Sequence, residues 1–184
     1  MRGVIAMQRE FPVRKHPRLK GYDYSKNGAY FITFCVKDRH EMLGRVVGRG
    51  ILDAPRFTGY DSPDAPRVEL SEYGTNLCKA VNYMDDKVGN ITVDKYIVMP
   101  NHVHLIVAIS DTPDGASGKP RPTNALIPKF ISSIKRYTNK LAGFDMWQSS
   151  YHDHIIRDQA SYNRIWQYID ENPSTWQQDC YHPK

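Results

Sequence analysis

The chain has 184 residues, a formal net charge of +5 and 40% hydrophobic residues. This length allows one domain with a sizeable core, and no apolar run approaches the roughly 20 residues of a membrane-spanning helix. Early charged residues exclude a typical secretory signal, and three widely separated cysteines argue against a disulfide framework. We therefore expect a cytoplasmic protein that does not enter a membrane, and the positive charge favours a polyanionic partner.

The first half of the chain is predicted to contain a basic arm, a strand, a loop and a helix. Residues 1–27 carry clustered arginines and lysines and are predicted to form the arm. The aromatic and β-branched run from Ala29 to Val36 predicts the first strand. Residues 44–67 are rich in Gly, Pro and Asp, which indicates a loop elaboration with short apolar pieces that could pair as a hairpin. Apolar side chains recur at helical spacing from Ser71 to about Asp85 and predict the first helix.

Two extended segments in the middle of the chain are predicted to form an antiparallel hairpin. They run from Ile91 to Met99 and from His102 to Ile109, and only Pro100-Asn101 separates them. A connection of two residues is typical of a tight turn between antiparallel strands. Residues 111–123 are rich in Gly and Pro and are predicted to be a flexible loop.

The last third of the chain is predicted to contain a helix, a strand and a second helix. Apolar side chains from Ala125 to about Leu141 lie on one helical face. The run from Tyr151 to Arg157 predicts a strand. Asp158 can cap the last helix, which we expect to end at Glu171 because the residue before Pro173 avoids helical backbone angles.

This order of elements predicts an α+β fold, in which helices flank an antiparallel β-sheet. The order is strand, helix, strand, strand, helix, strand, helix, and no internal repeat accompanies it. We assign residues 28–176 to this single domain. Residues 177–184 are interpreted as a C-terminal tail.

Two histidines lie inside an apolar strand in the sequence MPNHVHLIV, residues 99–107. Side chains two residues apart in a strand point to the same side, so His102 and His104 are predicted to project together. Two imidazoles about 6 to 7 Å apart at their Cα atoms can bind one metal ion. The pattern alone is weak evidence, because seven histidines give roughly a quarter of a His-X-His match by chance. Hydrogen-bonded, half-buried histidines without a metal are the alternative.

A second His-X-His pattern, His152-Asp153-His154, provides an internal control. Its central residue is charged, so neither side of the predicted strand is cleanly apolar. We favour a surface or structural role for this pair. His154 could still approach the first pair, as a DNA-contacting group or as a hydrogen-bond partner of a ligand.

The last predicted helix carries two polar candidates beside its apolar face. That face consists of Tyr162, Ile165, Trp166 and Ile169. Tyr168 lies about 110° from the middle of this face and Asn172 about 70° on the same side. A spacing of four residues puts the Tyr168 phenol beside the Asn172 amide. They could supply a nucleophile and an oxygen ligand, although spacing alone favours an amphipathic aromatic at a helix end as the explanation of Tyr168.

These groups together suit phosphodiester chemistry. A divalent ion held by two imidazoles and an amide oxygen keeps positions open for phosphate oxygens. A tyrosine held in line could attack a DNA phosphodiester, which forms a phosphotyrosine link and releases a 3′-OH. A second 3′-OH can reverse the attack, so strands are cleaved and rejoined without ATP.

Five ordered blocks, YFITFCVKDR, VDKYIVMPNHVHLIV, FISSIKRYTNK, MWQSSYHDHIIRD and YNRIWQYIDENP, resemble the HUH single-tyrosine transposases, and most closely the REP-associated tyrosine transposases. The resemblance implies a ferredoxin-like or RNA-recognition-motif-like HUH endonuclease fold and a Mg²⁺ or Mn²⁺ ion. It implies that His102 and His104 bind this ion and that Tyr168 is the catalytic nucleophile. It places the third metal ligand at Asn172, where family members often have glutamine.

The resemblance also implies a substrate and a location. The substrate is single-stranded DNA that forms hairpins at repetitive extragenic palindromes, cleaved through a 5′-phosphotyrosine intermediate by a monomer or homodimer at the bacterial nucleoid. Basic side chains and one histidine are the candidate DNA contacts. They are Arg14, Lys15, Arg18, Lys135, Arg136, Lys140 and His154.

Two alternative functions remain open at this point. The first is a non-catalytic protein of the same fold that binds DNA hairpins. The second is a metal-free RNA-binding module, which would need exposed aromatic side chains on its strands. We rank it last because the run that contains Tyr30, Phe31 and Phe34 is more typical of a core.

Overall fold

A computed structural model describes residues 27–48, 65–110 and 126–183 of the chain. The strands are β1 (Gly28–Cys35), β2 (Gly44–Val47), β3 (Arg67–Leu70), β4 (Ile91–Val98), β5 (His102–Ile109) and β6 (His152–Ile156). The α-helices are α1 (Glu72–Lys87), α2 (Leu126–Ala142) and α3 (Gln159–Glu171), and 3-10 helices span Lys37–Arg39 and Pro173–Gln178. Among these described residues, no helix has the length and hydrophobicity that a membrane span requires.

Four strands form an antiparallel sheet in the order β4-β5-β1-β6. Helix α1 connects β1 to β4, and α2 connects β5 to β6. This arrangement is the ferredoxin-like βαββαβ fold. It confirms the predicted α+β fold and the predicted hairpin between β4 and β5.

The sheet packs against helices on both faces. On the first face, side chains of β1 and β5 pack against α1 and α2; they include Tyr30, Ile32, Phe34, Val103, Leu105 and Val107. On the second face, Ile106 and Ile156 pack against Ile165 and Ile169 of α3. Because strand side chains alternate, the side chains of residues 102 and 104 lie on the same face as Ile106, which is the α3 face.

A small hairpin outside the main sheet differs from the sequence prediction. The prediction placed both strands of a possible hairpin within residues 44–67. In the structure, β2 pairs with β3, which begins at Arg67, the last residue of that predicted loop. The two backbones approach closely at Gly44, where a Cβ atom would lie 2.6 Å from the carbonyl oxygen of Glu69. Residues 49–64 lie outside the described residues.

Several other predictions also fall outside the described ranges. They concern most of the basic arm, with Arg14, Lys15 and Arg18, and the loop at residues 111–123. The last helix has the predicted limits. Asp158 caps it by accepting a hydrogen bond of 2.6 Å from the Ser161 amide, and the helix ends at Glu171. The expected reason for this end is wrong, because Asn172 has helical backbone angles (φ −58°, ψ −44°) and Pro173 begins a 3-10 helix.

Candidate active site

The two histidines of β5 lie side by side near the middle of the sheet. Strand β5 has β4 on one side and β1 on the other, so its backbone is hydrogen-bonded along both edges. His102 is 0% exposed and His104 is 1% exposed. Their Nε2 atoms are 2.9 Å apart. The structure therefore brings the two imidazoles together, as the alternation of the strand predicts.

The opposite nitrogen of each ring contacts a protein side chain. His102 Nδ1 lies 2.8 Å from Asn101 Oδ1, and His104 Nδ1 lies 2.7 Å from Thr33 Oγ1. Thr33 is the β1 residue directly opposite His104 in the sheet. Side chains that hold one imidazole nitrogen orient the other toward a metal ion in many metal sites.

Burial keeps both imidazoles neutral. Desolvation lowers the pKa of His104 to about 3. Desolvation also lowers the pKa of His102 well below its usual range, and His104 and Arg39 act in the same direction. Because neutral imidazole is the form that binds metals, the pair is ready to bind a cation at neutral pH without losing protons.

Helix α3 places Tyr168 against His104. The Tyr168 Oη atom is 3.2 Å from His104 Nε2, and it donates a hydrogen bond of 3.3 Å to Asp179 Oδ2. The ring of Phe31, a β1 residue, packs against both side chains. Its centroid is 5.1 Å from that of His104 and 6.0 Å from that of Tyr168. Burial, followed by the Asp179 charge, raises the pKa of the Tyr168 phenol. The phenol is therefore protonated at neutral pH, and it would need a base in order to act as a nucleophile.

Asn172, at the end of α3, is completely buried. Its Nδ2 atom donates a hydrogen bond of 3.0 Å to Asp179 Oδ2. Its Oδ1 atom is buried and, among the described residues, has no hydrogen-bond donor. A buried acceptor without a donor is unfavourable, and it is the kind of atom that a bound cation would satisfy.

Asp179 is a candidate ligand that sequence analysis missed. It follows the 3-10 helix, and ligand atoms of His102, His104 and Asp179 all lie within 4.8 Å of one another. Sequence analysis assigned this residue to a tail, and no periodic pattern links it to the histidines. The chain path through the 3-10 helix alone brings it to them.

This set of donors fits a divalent metal ion. Two neutral imidazole nitrogens, one carboxylate and a buried amide oxygen are all ordinary ligands. The 2.9 Å between the Nε2 atoms agrees with neighbouring positions around one ion at bonds of about 2.1 Å. His102, His104 and Asp179 could hold the ion, with Asn172 as a further candidate.

Aromatic rings that follow α3 cover the histidine pair. The Tyr181 ring centroid is 4.5 Å from that of His102 and 5.8 Å from that of His104. The Trp176 ring is 5.8 Å from His102. The Tyr181 carbonyl oxygen accepts a hydrogen bond of 2.8 Å from Asn101 Nδ2. The segment after α3 is therefore part of the site rather than a separate tail.

Comparison with solved structures identifies the fold. A REP-associated tyrosine transposase, solved with a REP hairpin bound, aligns over 91% of this chain and 74% of its own, with a TM-score of 0.52 and 18% identity. The chain has the fold of this transposase. The predicted α+β fold, an antiparallel sheet flanked by helices, is thus confirmed.

Other comparisons give weaker likenesses. A candidate transposase from Deinococcus radiodurans aligns over 83% of this chain and 96% of its own with 18% identity, but its TM-score of 0.43 does not establish a shared fold. An uncharacterised protein of Haemophilus influenzae is 27% identical over 181 residues, which cover 90% of this chain and 91% of that protein. No protein-family model matches the chain.

The three basic residues of α2 that were predicted to contact DNA have different surroundings. Lys135 is half-buried and donates hydrogen bonds of 2.8 Å to the carbonyl oxygens of Gln148 and Ser150. Burial lowers its pKa to about 8. Arg136 and Lys140 are exposed and line a shallow groove. Lys135 therefore ties α2 to the segment before β6, while the other two cations face solvent.

The second histidine pair lies on the same face of the sheet as the first pair, on the edge strand β6. His154 pairs with Phe31 across the sheet, and the Phe31 ring stacks on His104. His152 is exposed and His154 is half-buried. The charged central residue, Asp153, is buried on the opposite face of the sheet.

Proposed function

We propose that the chain is a metal-dependent HUH single-tyrosine transposase of the REP-associated type. It cleaves and rejoins single-stranded DNA at hairpin-forming palindromes. The observation that carries this proposal is the contact of Tyr168 Oη with one of two converging, neutral imidazoles, 3.2 Å from His104 Nε2. The transposase with the same fold was solved with a REP hairpin, which supports a DNA hairpin as the substrate.

The metal ligands in this proposal are His102 and His104, together with an oxygen from Asp179 or Asn172. Oxygen ligands suit Mg²⁺ or Mn²⁺. When bound, such an ion polarises a phosphodiester and offsets the charge that develops on it. All of these residues and Tyr168 belong to one chain, so the proposed site can form within a monomer, and a homodimer remains the alternative.

Tyr168 is the nucleophile in the proposed reaction. Its hydroxyl donates to Asp179 Oδ2, so this carboxylate is placed to accept the proton as the phenol oxygen attacks phosphorus. The bond from phosphorus to the 3′ oxygen breaks, which leaves a 5′-phosphotyrosine and a free 3′-OH after that oxygen takes up a proton. Attack by a second 3′-OH on the phosphotyrosine restores the phenol and joins the strands.

Access to the site requires movement of the segment that follows α3. Trp176 and Tyr181 cover the histidines, so a phosphodiester reaches the Nε2 atoms only if these rings shift. Arg136 and Lys140 are the exposed candidates for phosphate contacts. Arg14, Lys15, Arg18 and His154 remain predicted contacts, and Lys135 would act mainly by holding α2 in place.

The decisive experiment is the capture of a covalent adduct on a single-stranded hairpin in the presence of Mn²⁺. The native chain should form a protein–DNA band on a denaturing gel. Tyr168→Phe should abolish that band while hairpin binding persists, because only the attacking oxygen is removed. The matched control is Tyr162→Phe on the same helix, whose hydroxyl donates to Asp94 at 2.9 Å and should not be needed for the adduct. An undiminished adduct in Tyr168→Phe would exclude this residue as the nucleophile.

A second candidate function is a hairpin-binding protein without cleavage activity. The burial of both histidines beneath Trp176 and Tyr181 favours it. It predicts binding without any adduct across Mg²⁺, Mn²⁺ and several hairpin sequences, so the same assay separates the two functions.

A further inference from the structure

The two histidines differ in the side chain that contacts their Nδ1 atoms. His102 Nδ1 meets an amide oxygen of Asn101, whereas His104 Nδ1 meets a hydroxyl of Thr33. Both contacting residues are buried. An amide oxygen can only accept a hydrogen bond, but a hydroxyl can donate or accept. The two contacts therefore place different limits on where each imidazole carries its proton.

The hydrogen bonds of the Asn101 Nδ2 atom fix the orientation of the Asn101 amide. Its Nδ2 atom lies 3.2 Å from the Arg39 carbonyl oxygen and 2.8 Å from the Tyr181 carbonyl oxygen. Two carbonyl oxygens need a donor, so the amide nitrogen lies on their side and Oδ1 faces His102. His102 must then carry its proton on Nδ1. Its Nε2 atom is left with a lone pair, which is the form that a metal ion needs.

His104 faces the opposite demand when no cation is bound. The two Nε2 atoms are 2.9 Å apart, and two lone pairs at that distance repel each other. His104 relieves this repulsion by carrying its proton on Nε2 and donating it to His102 Nε2. The Thr33 hydroxyl then donates to His104 Nδ1. The neighbouring Tyr168 oxygen is also within reach of this proton, and its own hydroxyl donates to Asp179.

We propose that Asn101 is a positioning residue that holds His102 in one tautomer, and that His104 is the ring whose tautomer changes when a divalent cation binds. The His104 proton leaves Nε2 and a proton is taken up at Nδ1 of the same ring, while the Thr33 hydroxyl turns from donor to acceptor. No net proton is released from the pair. This inference rests on the proposed function only through the metal site.

The first test is a long-range ¹H–¹⁵N spectrum of the full chain with ¹⁵N-labelled histidine. Without metal we expect a proton on Nδ1 of His102 and on Nε2 of His104. With Zn²⁺ as a diamagnetic probe, only His104 should change, so that both rings carry the proton on Nδ1. A proton on Nε2 of His102 in the metal-free protein would overturn the proposal, as would a spectrum in which Zn²⁺ changes His102 alone.

Variants of Asn101 separate positioning from general stability. Asn101→Ala should give a mixture of His102 tautomers and lower the Mn²⁺ affinity about 10- to 100-fold, measured by titration calorimetry. Asn101→Asp keeps an oxygen acceptor for His102 Nδ1, so the single His102 tautomer should be restored, even though the lost hydrogen bonds to the two carbonyl oxygens lower the stability of the fold. The proposal is wrong if Asn101→Ala leaves His102 in a single Nδ1–H tautomer.

Asn139→Ala is the matched control for the loss of a bridging amide. Asn139 donates to Asp145 at 2.9 Å and accepts from the Met146 amide at 3.0 Å, and none of these residues contacts the histidines. Its loss should leave both tautomers and the Mn²⁺ affinity unchanged. Equal loss of affinity in both variants would reduce Asn101 to a structural role. A protein with the expected tautomers but no DNA adduct would refute the proposed transposase activity and leave this inference standing.

Discussion

The chain carries two His-X-His patterns on the same face of one sheet, yet only one of them, in the part of the chain that the structure describes, belongs to a compact group of metal-type ligands. Thr33 lies directly opposite both His104 and His152 in the sheet. His104 lies on a central strand beneath covering aromatic rings, whereas His152 lies on the edge strand and is exposed. The sequence pattern is the same, so the surroundings decide which pair can bind an ion.

The contrast shows that a group of ligand atoms forms only where residues outside the histidine strand also contact the imidazoles. For the β5 pair, Asn101 and Thr33 contact the Nδ1 atoms, and Asp179 comes from beyond α3. A ligand site is then produced by three elements that are distant in sequence. Three predictions, each with its own variants, test this comparison.

The largest difference should appear in metal affinity. His104→Ala removes a proposed ligand and should lower the Mn²⁺ affinity more than about 100-fold, a loss greater than that expected for an outer hydrogen-bond partner. His154→Ala, on the same sheet face, should change it less than about twofold. Titration calorimetry measures both. Similar losses in the two variants would mean that the edge pair also contributes to the metal site.

The next effect is on acid stability of the metal-free protein. Burial lowers the pKa of His104 to about 3, whereas an unfolded histidine has its ordinary value of 6.5. Below pH 6.5 the unfolded chain takes up a proton at His104 that the folded chain does not. The free energy of unfolding is therefore fully retained above pH 6.5, and it falls as the pH decreases from 6.5 toward 3. At about pH 5 the loss from His104 is about 2 kcal/mol.

Urea unfolding at about pH 7 and about pH 5 measures this loss. His104→Gln should lose about 2 kcal/mol less than the native chain between the two conditions, since glutamine does not titrate. His152→Gln leaves the buried pair intact and is the matched control. The buried-pair explanation fails if His104→Gln is as sensitive to acid as the native chain.

The smallest effect concerns the carboxylate of Asp179, which lies beside the buried pair. Asp179→Asn keeps the shape of the side chain but removes its charge, so we expect about a tenfold loss of Mn²⁺ affinity. Asp145→Asn, in the turn that follows α2, is the control and should have no effect. If Asp179→Asn binds normally and Asn172→Ala does not, the amide rather than the carboxylate is the third ligand.

Periodic patterns account for the parts that sequence analysis predicted. The alternation of side chains along β5 predicted that His102 and His104 lie together. The helical spacing of α3 predicted that Tyr168 and Asn172 lie beside its buried face. The order of elements gave the antiparallel sheet. These predictions succeed because the direction of a side chain follows directly from the geometry of its strand or helix.

Residues outside periodic elements were missed for a physical reason. Asp179 and Tyr181 reach the histidines through the 3-10 helix Pro173–Gln178, whose path depends on packing rather than on a repeating pattern. Asn101 was interpreted only as a turn residue, although its amide bridges His102 and two carbonyl oxygens. A sequence window around Asn101 contains His102 but neither of the two carbonyl groups, and a window around Asp179 contains neither histidine.

The position of Tyr181 has a practical consequence for experiments on this protein. Its ring packs on His102 and also lies near His104. A polyhistidine purification tag joined to the chain soon after Tyr181 would bring additional imidazoles close to the site, where they would compete for the same cation. Metal titrations and spectra of the histidines should therefore use protein from which such a tag has been cleaved.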